Sequence, residues 1–207
     1  MRRLYPLMRR SSEPDGSRRP GPGMLSGMAR RVRVVGSSGS GKSTLARDLA
    51  RRLGVPHLEL DAVNHRSGWQ EAPPEEFRSE VAAFLAEAER VRGGWVVDGN
   101  YLSRGDTRLA DADTVVWLDL PRWFVVQRLV RRTARRVLLR TELWNGNRES
   151  WGGVLSTDPE RNVLLWSWQH HAELRERYGA LATTDPRVVR LRRPGDVRRW
   201  LRRQSSG

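Results

Sequence analysis

Gly36-Ser37-Ser38-Gly39-Ser40-Gly41-Lys42-Ser43-Thr44 decides the fold, because it sets the only lysine of an arginine-rich chain at the end of a glycine loop. Directly before it, Arg31-Val32-Arg33-Val34-Val35 is a short β-branched run that reads as a strand. Directly after it, Leu45, Leu49 and Leu53 recur every four residues, with Arg47, Asp48, Arg51 and Arg52 left to face outward, so Ser43 to Leu53 reads as an amphipathic helix. Strand, glycine loop and helix follow in the order that a phosphate-binding loop requires. Glycines at 36, 39 and 41 let the backbone turn tightly and point successive N–H groups inward, and the positive end of the helix begins near Lys42. In that frame Lys42 reaches the β and γ phosphates of a nucleoside triphosphate, and the Ser43 hydroxyl is a ligand for Mg²⁺. The bland alternative is a flexible Gly/Ser turn, which leaves the full spacing G-x-x-x-x-G-K-S without explanation.

Further apolar runs follow at intervals. His57-Leu58-Glu59-Leu60-Asp61 reads as a second strand ending in an acid, and Pro73-Pro74 opens a helix with Phe77, Val81, Phe84 and Leu85 on its apolar face. Glu75 and Glu76 suit the positive end of that helix. Trp95-Val96-Val97-Asp98, Thr114 to Asp119 and Val188 to Leu191 complete the strands. Strands of nearly continuous apolar character that alternate with helices imply a parallel sheet covered on both faces. Ligands in such sheets gather beyond the carboxyl ends of the strands, which brings Asp61, Asp98 and Asp119 toward the phosphate loop.

The acids divide by context. Asp98, followed by Gly99-Asn100-Tyr101, suits a place beside Mg²⁺ or the acceptor, whereas Asp119 before Pro121 reads equally as the cap of a strand end. Asp61 either takes the proton of an acceptor hydroxyl or plays a structural part, and an acceptor that is itself a phosphate needs no base. Histidines at 57, 65, 170 and 171 are too scattered for a metal cluster, and His170-His171 reads as helix surface.

After Pro121 the chain turns arginine-dense, with Phe124, Leu129, Val130, Val137 and Leu138 as the expected apolar contacts of a helix. Arg128 and Arg132 share one face of it and form a forked, permanently charged pair for donor base and phosphates, while other arginines are ordinary solvated surface. The glycine-, asparagine- and tryptophan-rich run within 139–160 suits either a cover that excludes water or a plain connecting loop. Arg148 is the arginine such a cover would deliver. Asn162 to Tyr178 reads as a helix with Trp166, Trp168 and Leu174 in its apolar set, and Asp196 to Arg203 as a last helix with Val197, Trp200 and Leu201 inward.

The chain has 207 residues, enough for one substantial core, and contains no cysteine, so no disulfide or thiolate-held metal supports it. A Cys-free chain suits a reducing cytoplasm. Residues 1–28 mix Arg, Ser, Gly and Pro without periodicity and are expected to be a disordered basic segment ahead of a domain at 29–207. No apolar run reaches the roughly 18 residues of a membrane span. The net charge of +14 favours polyanions, whether bound phosphates or nucleic acid, and does not choose between them.

Together these segments resemble the adenylate-kinase-like P-loop proteins, and among them the small ATP-binding proteins labelled DNA topology modulation proteins, from about Arg31 through Leu201. The carriers are the phosphate loop, Leu60-Asp61 with Gly68-Trp69 and Pro73 to Phe77, Val97 to Tyr101, Asp119-Leu120-Pro121, Arg128 with Arg132, and Asn147-Arg148-Glu149. The resemblance implies an α/β three-layer sandwich with a five-stranded parallel sheet in the order 2-3-1-4-5. It also implies an acceptor-binding region after the second strand and an arginine-bearing lid after the fourth. On it, Arg128 lies near the donor adenine, Arg132 approaches the phosphates, Asp98 is the acid after the third strand, and Arg192 to Pro194 border the adenine. Where adenylate kinases continue acid-glycine-aromatic-proline-arginine, this chain has Asp98-Gly99-Asn100-Tyr101-Leu102. The expectation is an ATP- and Mg²⁺-dependent transfer to a small acceptor, a nucleotide among the choices, with Lys42, Asp61, Asp98, Arg132 and Arg148 as the working residues. A nucleic-acid-binding ATPase and a nucleotide sensor without turnover are the alternatives.

Overall fold

A computed structural model describes residues 30–101, 110–149, 152, 156–158 and 162–204. The expected basic segment at 1–28 and part of 139–160 lie outside those residues. Strand β1 (Arg31–Gly36) leads through the glycine loop into α1 (Lys42–Leu53). Next come β2 (His57–Glu59), the short helix α2 (Leu60–Asn64), a 3₁₀ turn at Ser67–Trp69, the long helix α3 (Pro74–Arg92) and β3 (Trp95–Asp98). Beyond residue 110 are β4 (Thr114–Leu118), α4 (Arg122–Leu138), a 3₁₀ turn at Trp144–Gly146, α5 (Val163–Thr184), β5 (Val188–Leu191) and α6 (Pro194–Arg203).

The five strands pair in parallel in the order β2-β3-β1-β4-β5, as expected. β3 and β4 are buried along their whole length, which explains why their sequences lack polar alternation. One face of the sheet packs Val35, Val97, Val115 and Trp117 against Phe77, Val81 and Leu85 of α3 and Tyr178 of α5. The other face packs Val32, Val34, Val96 and Val116 against Leu45 and Leu49 of α1, Val125 of α4 and Trp200 of α6. These are the three layers of an α/β sandwich.

Local chemistry sets the helix ends. Pro74 and the acids Glu75 and Glu76 open α3, Arg90 and Arg92 occupy its last turn, and Gly93 closes it at φ 64°. Asn162 caps α5 by accepting from the backbone N–H groups of Leu164 and Leu165.

Three expectations are corrected. β2 stops at Glu59, so Asp61 stands in the first turn of α2 rather than at a strand end. On α4, Val130 and Leu138 are exposed and Val125, Leu129, Thr133 and Val137 form the buried stripe, because α4 packs along one side only. Trp168 on α5 is half exposed and holds the Arg122 guanidinium 3.3 Å above its ring instead of joining the core. Among the described residues no helix is long and apolar enough to cross a membrane.

Candidate functional site

The phosphate loop is held from three sides. Its first residue is clamped by Asn100, whose amide donates to the Gly36 carbonyl at 2.9 Å and accepts the Gly36 N–H at 3.1 Å. α4 presses on the crest, where a Cβ built on Gly39 would stand 2.8 Å from the Val125 carbonyl oxygen and 2.9 Å from Leu129 Cβ, at a φ of +87°. α5 reaches in from the other side, with the Ser167 hydroxyl donating to the Ser38 carbonyl at 3.3 Å and His171 Nδ1 sharing a 2.8 Å hydrogen bond with the Ser37 hydroxyl. His171 is therefore a support of the loop and not bare helix surface. Burial, with Arg122 and Arg175 nearby, holds its pKa below the ordinary histidine value, against the pull of Asp119.

Lys42 and Ser43 open α1 beneath this loop. The ammonium of Lys42 donates to the Ser37 carbonyl at 3.3 Å. Desolvation pulls its pKa down, the charges of Asp61, Asp98 and Glu59 oppose that, and Arg132 adds to it. Ser43 stands between two acids, its hydroxyl 2.7 Å from Glu59 Oε1 and 2.7 Å from Asp98 Oδ2. The parallel register explains the convergence, since Glu59 and Asp98 are partners across β2 and β3. His57, at the start of β2, fixes the other oxygen of Asp98 through Nε2 at 2.7 Å.

That arrangement tests the fit of a divalent cation. A hydroxyl carries one hydrogen, so it cannot satisfy two carboxylate oxygens that each sit within hydrogen-bond distance. Two converging acids beside a hydroxyl at the mouth of a phosphate loop match the oxygen donors that Mg²⁺ prefers. Among the described residues no group of three or more His, Asp or Glu forms a metal cage by itself.

Asp61 faces the same space from α2. The Tyr101 hydroxyl donates to its Oδ1 at 2.8 Å, and the ring of Tyr101 leans on Phe77 with centroids 5.4 Å apart. Arg128 lies against the loop, since a Cβ on Gly41 would come within 3.2 Å of its Nη2. One helical turn further, Arg132 is largely buried; desolvation and then the charge of Arg136 lower its pKa, opposed by Glu149, Asp61 and Glu59. Lys42, Ser43, Asp61, Asp98, Arg128 and Arg132 are thus gathered at the carboxyl edge of the sheet.

Two selected arginines stand apart. Arg148 is exposed, and its guanidinium reaches Glu142 at 3.5 Å. Arg192, just beyond β5, is also exposed. Asp119 is committed to structure, paired with Arg190 at 2.7 Å and Arg175 at 2.9 Å.

The segment 141–149 lies over the turn that follows α2. Asn145 donates to the His65 carbonyl at 2.6 Å, and Asn147 donates to the Arg66 carbonyl at 2.8 Å while accepting the Trp69 N–H at 2.9 Å. His65 stacks on Trp144 and meets Trp69 edge-on. Trp69 and Asn145 both have positive φ, 60° and 56°, and for Trp69 that backbone costs energy which these contacts repay. Sequence reading gave no role to Glu59, His57 or Asn145 and took His171 for helix surface, while Tyr101 and Asn147 entered it only inside motifs that carry the resemblance. Glu59, two residues before Asp61, was the acid it passed over.

A glycine loop with its lysine and hydroxyl at a strand–helix junction, on a 2-3-1-4-5 parallel sheet, defines a P-loop nucleotide-binding protein of the adenylate-kinase-like fold. The chain belongs to the family described as the AAA domain, whose model matches residues 32–151. It is 36% identical to a shikimate kinase of Paracidovorax citrulli, over 42% of this chain and 55% of that protein. It is 34% identical to a shikimate kinase of Thermobifida fusca, over 51% of this chain and 67% of that protein. The uncharacterized protein YqaC of Bacillus subtilis is 29% identical over 53% of this chain and 60% of its own length. The chain thus spans between 55% and 67% of the curated relatives it matches. Among solved structures, a shikimate kinase from Acinetobacter baumannii in complex with shikimate superposes with a TM-score of 0.47 at 19% identity, covering 84% of this chain and 89% of that one. A sugar kinase from Janibacter gives 0.46 at 20% identity, covering 84% and 95%. No residue role is carried across from these two.

Proposed function

We propose that this protein transfers the γ-phosphoryl group of ATP to a hydroxyl group of a small metabolite. The observation that carries the reading is Asp61, an acid held by the Tyr101 hydroxyl at 2.8 Å and close enough to Lys42 and Arg132 to act on the charge of both. A carboxylate there suits an acceptor whose proton must leave and repels an acceptor that is already a phosphate. The curated relatives whose names state an activity are shikimate kinases, which favours the same class of acceptor. A nucleotide acceptor is the less favoured choice on this chain, because Asp61, the acid not assigned to the cation, would repel an acceptor that is already a phosphate.

The chemistry follows from the residues. The acceptor oxygen attacks the γ-phosphorus, the bond from that phosphorus to the β–γ bridging oxygen breaks, ADP departs, and the acceptor proton passes to Asp61. Lys42 and the N–H groups of residues 36–44 hold the donor phosphates, and burial makes the Lys42 charge more effective toward them. Arg128 lies along the donor, and Arg132 meets charge that builds on the transferring group. Ser43, Glu59 and Asp98 hold Mg²⁺, which when bound neutralises phosphate charge. Arg148 joins them only if 139–160 acts as a cover and swings that side chain inward, and Arg192 borders the adenine. The absence of cysteine agrees with a cytoplasmic setting. The topology-modulation likeness names no reaction, and none is drawn from it.

A screen of small hydroxyl compounds and nucleoside monophosphates with ATP and Mg²⁺, following phosphorylated product, tests the reading. The expected result is saturable transfer to a hydroxyl compound, lost in Lys42→Ala. Product that forms equally well without Lys42, or ATP hydrolysis that rises only with DNA or RNA and falls steeply with salt, overturns it.

A further inference from the structure

We infer that Glu149 is a positioning residue for Arg132, the buried carboxylate that aims the arginine of α4 at the transferring phosphoryl group. The inference rests on the donor half of the function proposed above. Within Asn147-Arg148-Glu149 the exposed member is Arg148, whereas the Glu149 side chain is 11% exposed and pairs with Arg136 at 2.8 Å. Only one oxygen is used in that pair: Oε2 is buried and has no hydrogen-bond partner among the described residues. The Nε of Arg132 is likewise buried without a partner among them. Arg132 and Arg136 are four residues apart on α4 and share a face, and the charge of Glu149 opposes the downward push that burial and then Arg136 exert on the pKa of Arg132.

The physical situation is two guanidiniums and one carboxylate, all partly buried, with Arg136 21% and Glu149 11% exposed. Arg132 and Arg136 repel, and Glu149 is the charge that lets both remain on the same side of the helix. Glu149 itself is fixed by its chain. The segment before it is pinned to the turn after α2 by Asn145 and Asn147. The carboxylate therefore arrives from a strap tied to the turn after α2 and joins the acceptor-side turn to the donor-side arginines. Without the carboxylate Arg136 keeps its burial and loses its partner, and Arg132 is left to turn away from it.

A double-mutant cycle tests this on the full chain, by calorimetric titration with Mg²⁺-ADP and with the Mg²⁺ complex of the β,γ-imido analogue of ATP. Removing a negative charge raises attraction for both nucleotides, so the ratio of their affinities reports the contact to the terminal phosphoryl group. Glu149→Gln is expected to lower the preference for the imido analogue about ten-fold, and to change it by less than about two-fold in an Arg132→Ala background. An unchanged ratio in Glu149→Gln, or the same loss with and without Arg132, overturns the assignment. If Glu149→Gln does not accumulate as folded protein, Glu149→Asp enters the same cycle with the same expected non-additivity. A wild-type chain that binds neither nucleotide removes the donor site and the inference with it. Intact cycle behaviour in a protein that phosphorylates no acceptor upholds the inference and removes only the kinase reading.

Discussion

Replacing Gly39 with alanine should destabilise the domain more than the same change at Gly54, and the difference measures how tightly α4 seals the phosphate loop. Both glycines have positive φ, 87° and 65°, so alanine pays about 1–2 kcal/mol of backbone strain at either site. The stiffening of the unfolded chain by alanine, about 0.4–1 kcal/mol, is common to both and cancels in the comparison. What differs is space. A Cβ on Gly54 meets nothing within 4 Å among the described residues, whereas one on Gly39 comes within 2.8 Å of a backbone carbonyl and 2.9 Å of Leu129 Cβ. Neither neighbour is the far end of a flexible side chain, so α4 must shift, at about 1–3 kcal/mol for overpacking. With a urea slope of about 2 kcal/mol/M, Gly39→Ala should unfold about 0.5–1.5 M earlier than Gly54→Ala. Equal midpoints for the two variants would refute the claim that the helix rests on the loop.

Asn162→Ala removes the acceptor of two backbone N–H groups at the start of α5 and should cost about 0.5–2 kcal/mol, read as a lower melting temperature; an unchanged melting temperature contradicts the cap. His171 has a folded pKa below its unfolded value of 6.5, so the unfolded chain binds the extra proton and stability falls as pH drops from about 6.5 toward the folded pKa. Urea unfolding between pH 5 and 8 should show a flatter dependence in His171→Gln, and identical slopes would mean that His171 does not stay neutral against Ser37 and Arg122. Asp61→Asn should lower the transfer rate about 10²–10⁴-fold while nucleotide affinity is retained, and a rate close to that of the parent denies Asp61 the proton.

The donor half was legible because it is contiguous. Nine successive residues, 36–44, carry the loop, its lysine and its hydroxyl, and the strand before and helix after them differ in hydrophobic period. Sheet order followed from the resemblance rather than from periodicity, which gives strands but not their neighbours. The acids around Ser43 were harder because they come from separate elements. Glu59 and Asp98 meet only through the register of β2 with β3, and His57 reaches Asp98 from 41 residues away. The end of β2 was misread because Leu60 continues the apolar run into α2, where it is buried all the same. Arg148 drew attention by its charge, yet in a buried setting its neighbour Glu149 makes the closer ion pair.

The central claim is that a hydroxyl receives the phosphoryl group. Phosphorus NMR of the product formed with the best acceptor from the screen separates the two outcomes directly. The account predicts a phosphate monoester resonance that appears as ADP accumulates and is absent with Lys42→Ala. A new phosphoanhydride resonance on a nucleotide acceptor, or inorganic phosphate as the sole product, would contradict it.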